Sequence, residues 1–521
     1  MKRIFLLLAA FAAGTSLQAQ SSFQKAISIP FISTPAPKSI VQCSDGGYLI
    51  GTGTDYMSSP SSCVVKTDAM GQVTWTKSIA SAGGSFNLIQ AGECSGGYFI
   101  FSENSDSLWM NSGFSVTKLD LSGNVVWAKV YPNSYPGYGS SKIRATSDGG
   151  FLISESLASK MGALKIDANG TILWHTAFTD DPNDQSPKCP SFDCFINSDG
   201  SMLFTGKRNS DILLVKTNAT GQMQWSSTIG NQTSYYHANG ISSTADGGYI
   251  VCGYADFYPF AMKVSATGTV TWYHAFDCVY GGEFTQIREL ANGKFVALGS
   301  ETYSGAFVVM LDANGSVLSS SAFSNNTSGA ATMTSPNMCA TSDGGFAIAG
   351  LYSDPSNGLT ALSIMKTDVN GNFACDFNYY PLSFLASQLS PSVLSVPIYE
   401  IPQMSSSTVI TATSTSLMPT EVDFCILFST NDQLQAASAI SVYPSPVVAG
   451  ENLTLAISGV EGEATVSVYD ANGRMVKTLS QNIVTNGIIE IATADFASGI
   501  YLVRMTGANE NVLGTTRFIV R

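Results

Sequence analysis

The chain has 521 residues, a formal net charge of −13, only 12% charged residues and 48 glycines. That length exceeds one ordinary core, and the acidic balance argues against nucleic acid and anionic membrane as partners. Few charges and abundant Gly suit a turn-rich β protein outside the cytosol better than a helical enzyme.

The chain opens as a signal peptide over residues 1–20. Lys2 and Arg3 form a basic start, Ile4 to Ala13 an apolar run, and small residues continue through Ala19. The apolar run is too short to span a bilayer, and no later stretch is long and apolar enough to form a transmembrane segment. Loss of Lys2 and Arg3 moves the net charge to about −15.

From residue 21 to 375 the sequence repeats. Turns of the Asp-Gly-Gly kind recur with their first glycine at Gly46, Gly96, Gly149, Gly200, Gly247, Gly293 and Gly344. A period of roughly 50 residues with about four strands per copy predicts a seven-bladed β-propeller. In Ser147 to Trp174 the order is turn, strand, loop, strand, turn, strand. Strands such as GGFLISES are apolar on both faces, as expected between neighbouring blades. The third strand ends in Lys-x-Asp, as at Lys165-Ile166-Asp167, and a tight turn closes on Gly170. The fourth carries Trp75, Trp127, Trp174, Trp225 or Trp272. A residue repeated in every copy serves what every copy needs. The Asp satisfies turn backbone and the Trp covers a sheet face or a seam between blades, rather than holding calcium or stacking sugar. Ser22 to Ile29 (SFQKAISI) is similar to Thr74 to Ala80 (TWTKSIA) without the Trp, so the N-terminal strand is expected to complete the last blade and remove open edges.

These copies, LKIDANGTILW for example, resemble bacterial quinoprotein-like and Asp-Gly-Gly-Tyr propeller repeats, over roughly Ser22 to Cys375. The quinone of such dehydrogenases needs a calcium-ligating acid and stacking groups on the axis. No residues match that site, so no cofactor and no metal are expected.

Ten cysteines fit an oxidising compartment. Cys189 with Cys194, and Cys375 with Cys425, are candidate disulfides. The alternative for each is a thiol packed as a small apolar residue. The three histidines are scattered, and GxSxG, HExxH and phosphate-loop motifs are absent, so no catalytic residue is assigned. The Asp-Gly-Gly and Asp-x-x-Gly turns lie at one end of the blades. The loops at the other end vary, and binding residues favour variable loops on a rigid scaffold. Trp109, Tyr135, Tyr138, Asp180, Asp181, Tyr235, Tyr236, His237, Tyr258 and Tyr280 are the candidate ligand contacts there.

Residues 376–432 lose the repeat and read as a β-rich appendage or linker. Residues 438–521 alternate in short strands, which predicts an Ig-like β-sandwich. This last stretch resembles the type A C-terminal sorting domain of the Bacteroidetes type IX secretion system. The matching residues are Tyr443, Pro444, Pro446, Tyr469, Asp470, Gly473, Arg474, Gly499, Tyr501 and Arg504; Ser445 stands where the family usually has Asn. The resemblance implies passage through the periplasm, recognition by the secretion translocon, removal of the domain, and release or attachment at the outer surface. The chain is thus expected to be an all-β exported module that binds a glycan or surface protein. A hydrolase or lyase acting on a polysaccharide from the same scaffold is the alternative.

Overall fold

The computed structural model describes residues 22–30, 32, 34–53, 62–81, 84–106, 112–132, 141–157, 160–181, 190–231, 233–278, 281–301, 305–323, 332–354, 359–373, 378–379, 383–384, 391–394, 397–403, 406–423, 440–443, 447–457, 462–470, 475–483, 488–497, 499–507 and 512–521. Among these the regular structure is all β. One compact unit spans Gln20–Ile426 and a second holds Leu427–Arg521.

The larger unit is built from repeating antiparallel sheets of four or five strands. The copy opened above is representative. Lys142–Ala145, Phe151–Leu157, Lys160–Ile166 and Ile172–Thr179 pair in sequence order. Its first turn has Gly149 at φ 82°, the left-handed region that favours glycine. Asp148 Oδ1 accepts from the Gly150 amide at 2.9 Å, and Lys165 Nζ reaches Asp148 Oδ2 at 2.9 Å. The same lysine-to-turn pair recurs as Lys66–Asp45, Lys263–Asp246 and Lys366–Asp343. In the second turn Asp167 Oδ1 accepts from the Asn169 and Thr171 amides at 2.9 and 2.7 Å. The repeated acids therefore satisfy turn backbone.

The repeated Trp works across copies. A Cβ placed on Gly123, Gly170, Gly221, Gly268 or Gly315 would come within about 3 Å of the indole of Trp75, Trp127, Trp174, Trp225 or Trp272 respectively. Each Trp thus lies on the second turn of the copy that follows it. Trp127 Nε1 also donates to the Ala168 carbonyl at 3.1 Å.

The copies form a closed circuit. The last has only three strands of its own, and Phe23–Ser28 pairs with Leu359–Lys366 to supply the fourth. Polar side chains on the first strand of each copy clasp the next one. Ser39 Oγ accepts from the Ala91 amide, and Gln90 bonds both the amide and the carbonyl of Ile143. Arg144 pairs with Asp193, which in turn accepts from the Ile241 amide. Asn239 donates to the Phe284 carbonyl, and Gln286 accepts from the Met338 amide. Asn337 then donates to the Pro37 carbonyl at 3.0 Å, which brings the chain back to its first copy.

Residues 378–423, expected as an appendage or linker, are distributed over all these sheets as an added outer strand. Asn378–Tyr379 pairs with Val317–Ala322, Ser383–Phe384 with Val270–Asp277, and Ser392–Leu394 with Met223–Gly230. Tyr399–Pro402 pairs with Ile172–Thr179, Thr408–Val409 with Val125–Pro132, Ala412–Leu417 with Val73–Ser81, and Thr420–Asp423 with Phe23–Ser28. This strap visits the copies in reverse order. It covers the outer edge that each sheet would otherwise leave unpaired.

Cys194 is a buried free thiol, packed with Phe178 and Phe204, and burial pushes it up to about 11. Cys189, its expected disulfide partner, lies outside the described residues. Cys375 and Cys425 also lie outside them. Cys43, Cys63, Cys94, Cys252, Cys278 and Cys339 are buried free thiols as well.

In the smaller unit Ile440–Tyr443, Asn452–Ile457 and Ile488–Ala492 form one sheet. Gly462–Asp470, Met475–Ile483, Gly499–Gly507 and Val512–Val520 form another. Alternate residues of both sheets, among them Leu453, Leu455, Val466, Val468, Val503 and Met505, meet in one core.

Candidate functional site

At the loop end of the larger unit, Tyr236–Ser243 pairs with Tyr249–Ala255. His237 and Tyr254 face each other in register, with ring centroids 5.0 Å apart and planes within 12°. Phe192 of the preceding copy lies 3.9 Å from the His237 ring, and Tyr235 stacks on Tyr254 at 6.0 Å. Lys207 Nζ sits 3.6 Å over the Tyr235 ring, a cation–π contact. Beside this stack, Asp256 and Phe257 form the connecting turn with φ 48° and 74°. A phenylalanine in the left-handed region is an outlier for a bulky side chain, and this one is 78% exposed. Its carbonyl accepts from the Gly282 amide at 2.8 Å, and Asp256 Oδ1 accepts from the Tyr235 amide at 2.7 Å. The result is a ledge of Phe257, Tyr235, Tyr254 and His237 whose backbone is pinned on both sides.

Electrostatically the ledge is neutral at its centre. Burial, reinforced by the Lys207 charge and opposed by the Asn239 hydrogen bond, brings the His237 imidazole down to about 4. Arg208 Nε meets Asp180 Oδ2 at 2.8 Å nearby, so that carboxylate is already paired.

Several expected contacts sit elsewhere. Tyr236, expected on the surface, is fully buried and packs into the core beside Tyr273. Strand alternation explains it, because its neighbours Tyr235 and His237 take the outward face. Asp181 is exposed and Tyr258 half-buried. Trp109, Tyr135, Tyr138 and Tyr280 lie outside the described residues. Phe257 and Tyr254 complete the ledge. The Asp-Phe pair between two apolar strands is a turn signal, whereas Tyr254 becomes identifiable only once strand register is known.

A second place was not anticipated. The first strands of all the copies surround a cavity of about 420 Å³, lined among others by Lys142, Arg144, Asp193, Gln286, Arg288 and Asn337. A wider space of about 630 Å³ shares Lys38, Lys142, Asn239, Gln286 and Asn337 with it and adds Glu103, Glu283 and Ser300. Arg144 Nη2 meets Asp193 Oδ1 at 2.6 Å. Burial pushes Lys142 and Arg288 below their usual ranges, against the pull of Asp193, and the neighbouring cations add to the effect.

In the smaller unit Tyr501 is buried against Phe496 and Phe518 and donates its hydroxyl to the Ala497 carbonyl at 2.8 Å. Tyr443 is half exposed and Arg504 exposed, while Tyr469 and Asp470 are half-buried at the end of Gly462–Asp470. Gly499 begins its strand. Pro444, Pro446, Gly473 and Arg474 lie outside the described residues.

Residues 441–521 match the family of the secretion system C-terminal sorting domain. That domain marks the chain for type IX secretion and attachment at the outer surface. No curated protein matches the chain in sequence. Among solved structures, a protein of unknown function from Dyadobacter fermentans is similar at 11% identity and a TM-score of 0.37, covering 67% of this chain and 99% of that one. PorZ of Porphyromonas gingivalis, described as an essential surface component of its type IX secretion system, is similar at 10% identity and a TM-score of 0.25, covering 94% and 82%. The C-terminal domain of Pseudomonas aeruginosa PilY1 is similar at 11% identity and a TM-score of 0.35, covering 64% and 93%.

Proposed function

We propose that the chain is an exported seven-bladed β-propeller over residues 21–375, in which each four-stranded copy is one blade. Residues 376–432 strap the ring from outside, and an Ig-like domain over 438–521 engages the secretion translocon. The propeller binds a glycan or a surface protein through the ledge of Phe257, Tyr235, Tyr254 and His237. The observation that carries this reading is Phe257, a large apolar side chain held almost fully exposed in a strained turn beside a stack of aromatic rings. Exposed aromatics with polar neighbours suit the faces of sugars and the cores of protein interfaces. Binding is favoured over hydrolysis because Glu103 and Glu283, which line the wider space, are exposed and half-buried respectively. A glycosidase acid needs a carboxyl in a protected environment to stay protonated.

The test is a glycan and surface-protein array probed with the full chain and with Phe257→Ala and Tyr235→Ala. Signal from the wild type that drops at least about tenfold in both variants supports the ledge. A wild-type signal untouched by either variant places binding elsewhere, and blank arrays with a folded protein count against the reading.

A further inference from the structure

The cavity enclosed by the first strands has a charge that the scaffold does not require. At one register position on those strands, Ser39, Gln90, Asp193, Gln286 and Asn337 all bond to the backbone of a neighbouring copy. Lys142 holds this position in the third copy, opposite Ser154 on its own sheet, and among the described residues makes no such bond. Two residues further along each strand the side chains follow no rule: Val41, Gly92, Phe195 and Cys339 in four copies, but Arg144 and Arg288 in two others. The cations are therefore particular to the cavity and are no part of the repeat.

Their counter-charges are already committed. Asp193 is held by Arg144 and by two backbone amides, those of Cys194 and Ile241. Glu93, the other acid lining the cavity, is spent on the amide and hydroxyl of Ser44 at 2.8 and 2.6 Å. Among the described residues neither Lys142 nor Arg288 meets a carboxylate, and Arg288 donates only to its neighbouring Ile287 carbonyl at 2.7 Å. Arg144 and Arg288 both disfavour the charge on Lys142, and Arg144 disfavours that on Arg288. Clustering enclosed cations without a counter-ion is costly, in a chain whose overall charge is −13 and which has few cations to place. An oxyanion between Lys142 and Arg288 removes that cost. Arg288 supplies a planar fork for two oxygens and Lys142 a point charge. A cavity of about 420 Å³ falls in the size range of small-ligand sites, and it continues into a wider space lined by Asn239, Ser300 and Glu283.

We propose that the axial cavity is a binding site for a small oxyanion ligand, a carboxylate or phosphate held by Lys142 and Arg288, with any hydroxyl-bearing body lying in the wider, polar space. This site is separate from the aromatic ledge and stands whether or not the ledge binds anything.

Thermal shift and calorimetric titration of the full chain at low salt test it, with sodium glucuronate, inorganic phosphate and glucose as probes. Glucuronate, phosphate or both should raise Tm and glucose should not. The anion that binds more tightly identifies the carboxylate or the phosphate source. Lys142→Met and Arg288→Gln should each weaken the anion at least about tenfold, while raising the Tm of the unliganded protein because repulsion is relieved. Tyr235→Ala should leave anion binding unchanged. The proposal is overturned if no anion shifts Tm, or if a shift persists in both cavity variants. Variants that fail to fold would show the charges to be structural and would also overturn it.

Discussion

Phe23 lies on Gly71. A Cβ built on that glycine would fall 2.4 Å from the phenyl ring, and its φ is 76°. The first residue of the closing strand therefore occupies, over the first copy, the place that Trp75 occupies over the second. Gly71→Ala should combine a backbone penalty with a clash at the ring closure and destabilise by about 2–4 kcal/mol. Gly96→Ala, at φ 74° with nothing within 4 Å of its would-be Cβ, should cost only about 1 kcal/mol. Denaturant midpoints of the two variants check the difference, and equal losses would refute the seam role of Phe23.

The pair Asp148–Lys165 predicts an asymmetry. Lys165 is buried while the Asp148 side chain is 56% exposed. Asp148→Asn strands a buried ammonium on a hydroxyl and a carbonyl and should cost about 2–3 kcal/mol. Lys165→Met leaves only an exposed carboxylate and should cost about 1 kcal/mol. Burial works against the Asp148 charge, but bonds from Thr146, Lys165 and Gly150 outweigh it and hold the carboxyl at about 2 rather than 3.8. Its contribution is therefore complete above pH 3.8 and is lost as the pH falls through about 2. Unfolding curves of wild type and Asp148→Asn should converge in that acid range.

His237 acts at milder acidity. The unfolded chain takes up its proton near pH 6.5 and the folded chain only near 4, so acid between those values favours unfolding. The stabilisation by neutral His237 is full above pH 6.5 and gone below about 4, with an upper limit of about 3 kcal/mol. His237→Phe should lack this step when stability is followed from pH 7 to pH 4. A step of the same size in the variant would show that other groups cause it.

The strap predicts an aggregation phenotype. A chain ending at residue 373 keeps the inner strands but leaves the outer edge of each sheet open, and it should elute in size exclusion as oligomers or aggregates. A monomeric, soluble product would show that the strap is dispensable.

The sorting domain predicts a localisation phenotype. Deletion of Ile440–Arg521 should leave the protein in the periplasm, as seen by fractionation and surface labelling. Normal surface display of the truncated chain would contradict the assignment.

Much of the scaffold is legible in the sequence because its signals are local. Turn glycines, the Asp five residues before the closing strand and the Trp two residues into it recur at a fixed spacing. Even the closing strand is legible, since SFQKAISI keeps the pattern of TWTKSIA. The strap is not. Its strands are two to six residues long, each matches a different edge, and only Ala412–Leu417 is long enough to alternate visibly. The cavity is hidden for another reason. Ser39, Gln90, Lys142 and Asp193 share a position only after β-bulges have set the register, and they share no identity. The burial of Tyr236 is not legible because adjacent residues of an extended segment face opposite ways, and composition does not say which tyrosine turns inward.

The strap ends beside the strand with which the described chain begins, since Thr420–Asp423 lies along Phe23–Ser28. Chain ends are usually where a fold frays first and where exopeptidases gain a hold. Here both ends of the propeller are woven into one sheet, each the neighbour of the other. Were the C-terminal domain removed at the cell surface, Thr420–Asp423 and Phe23–Ser28 would still hold each other in that sheet.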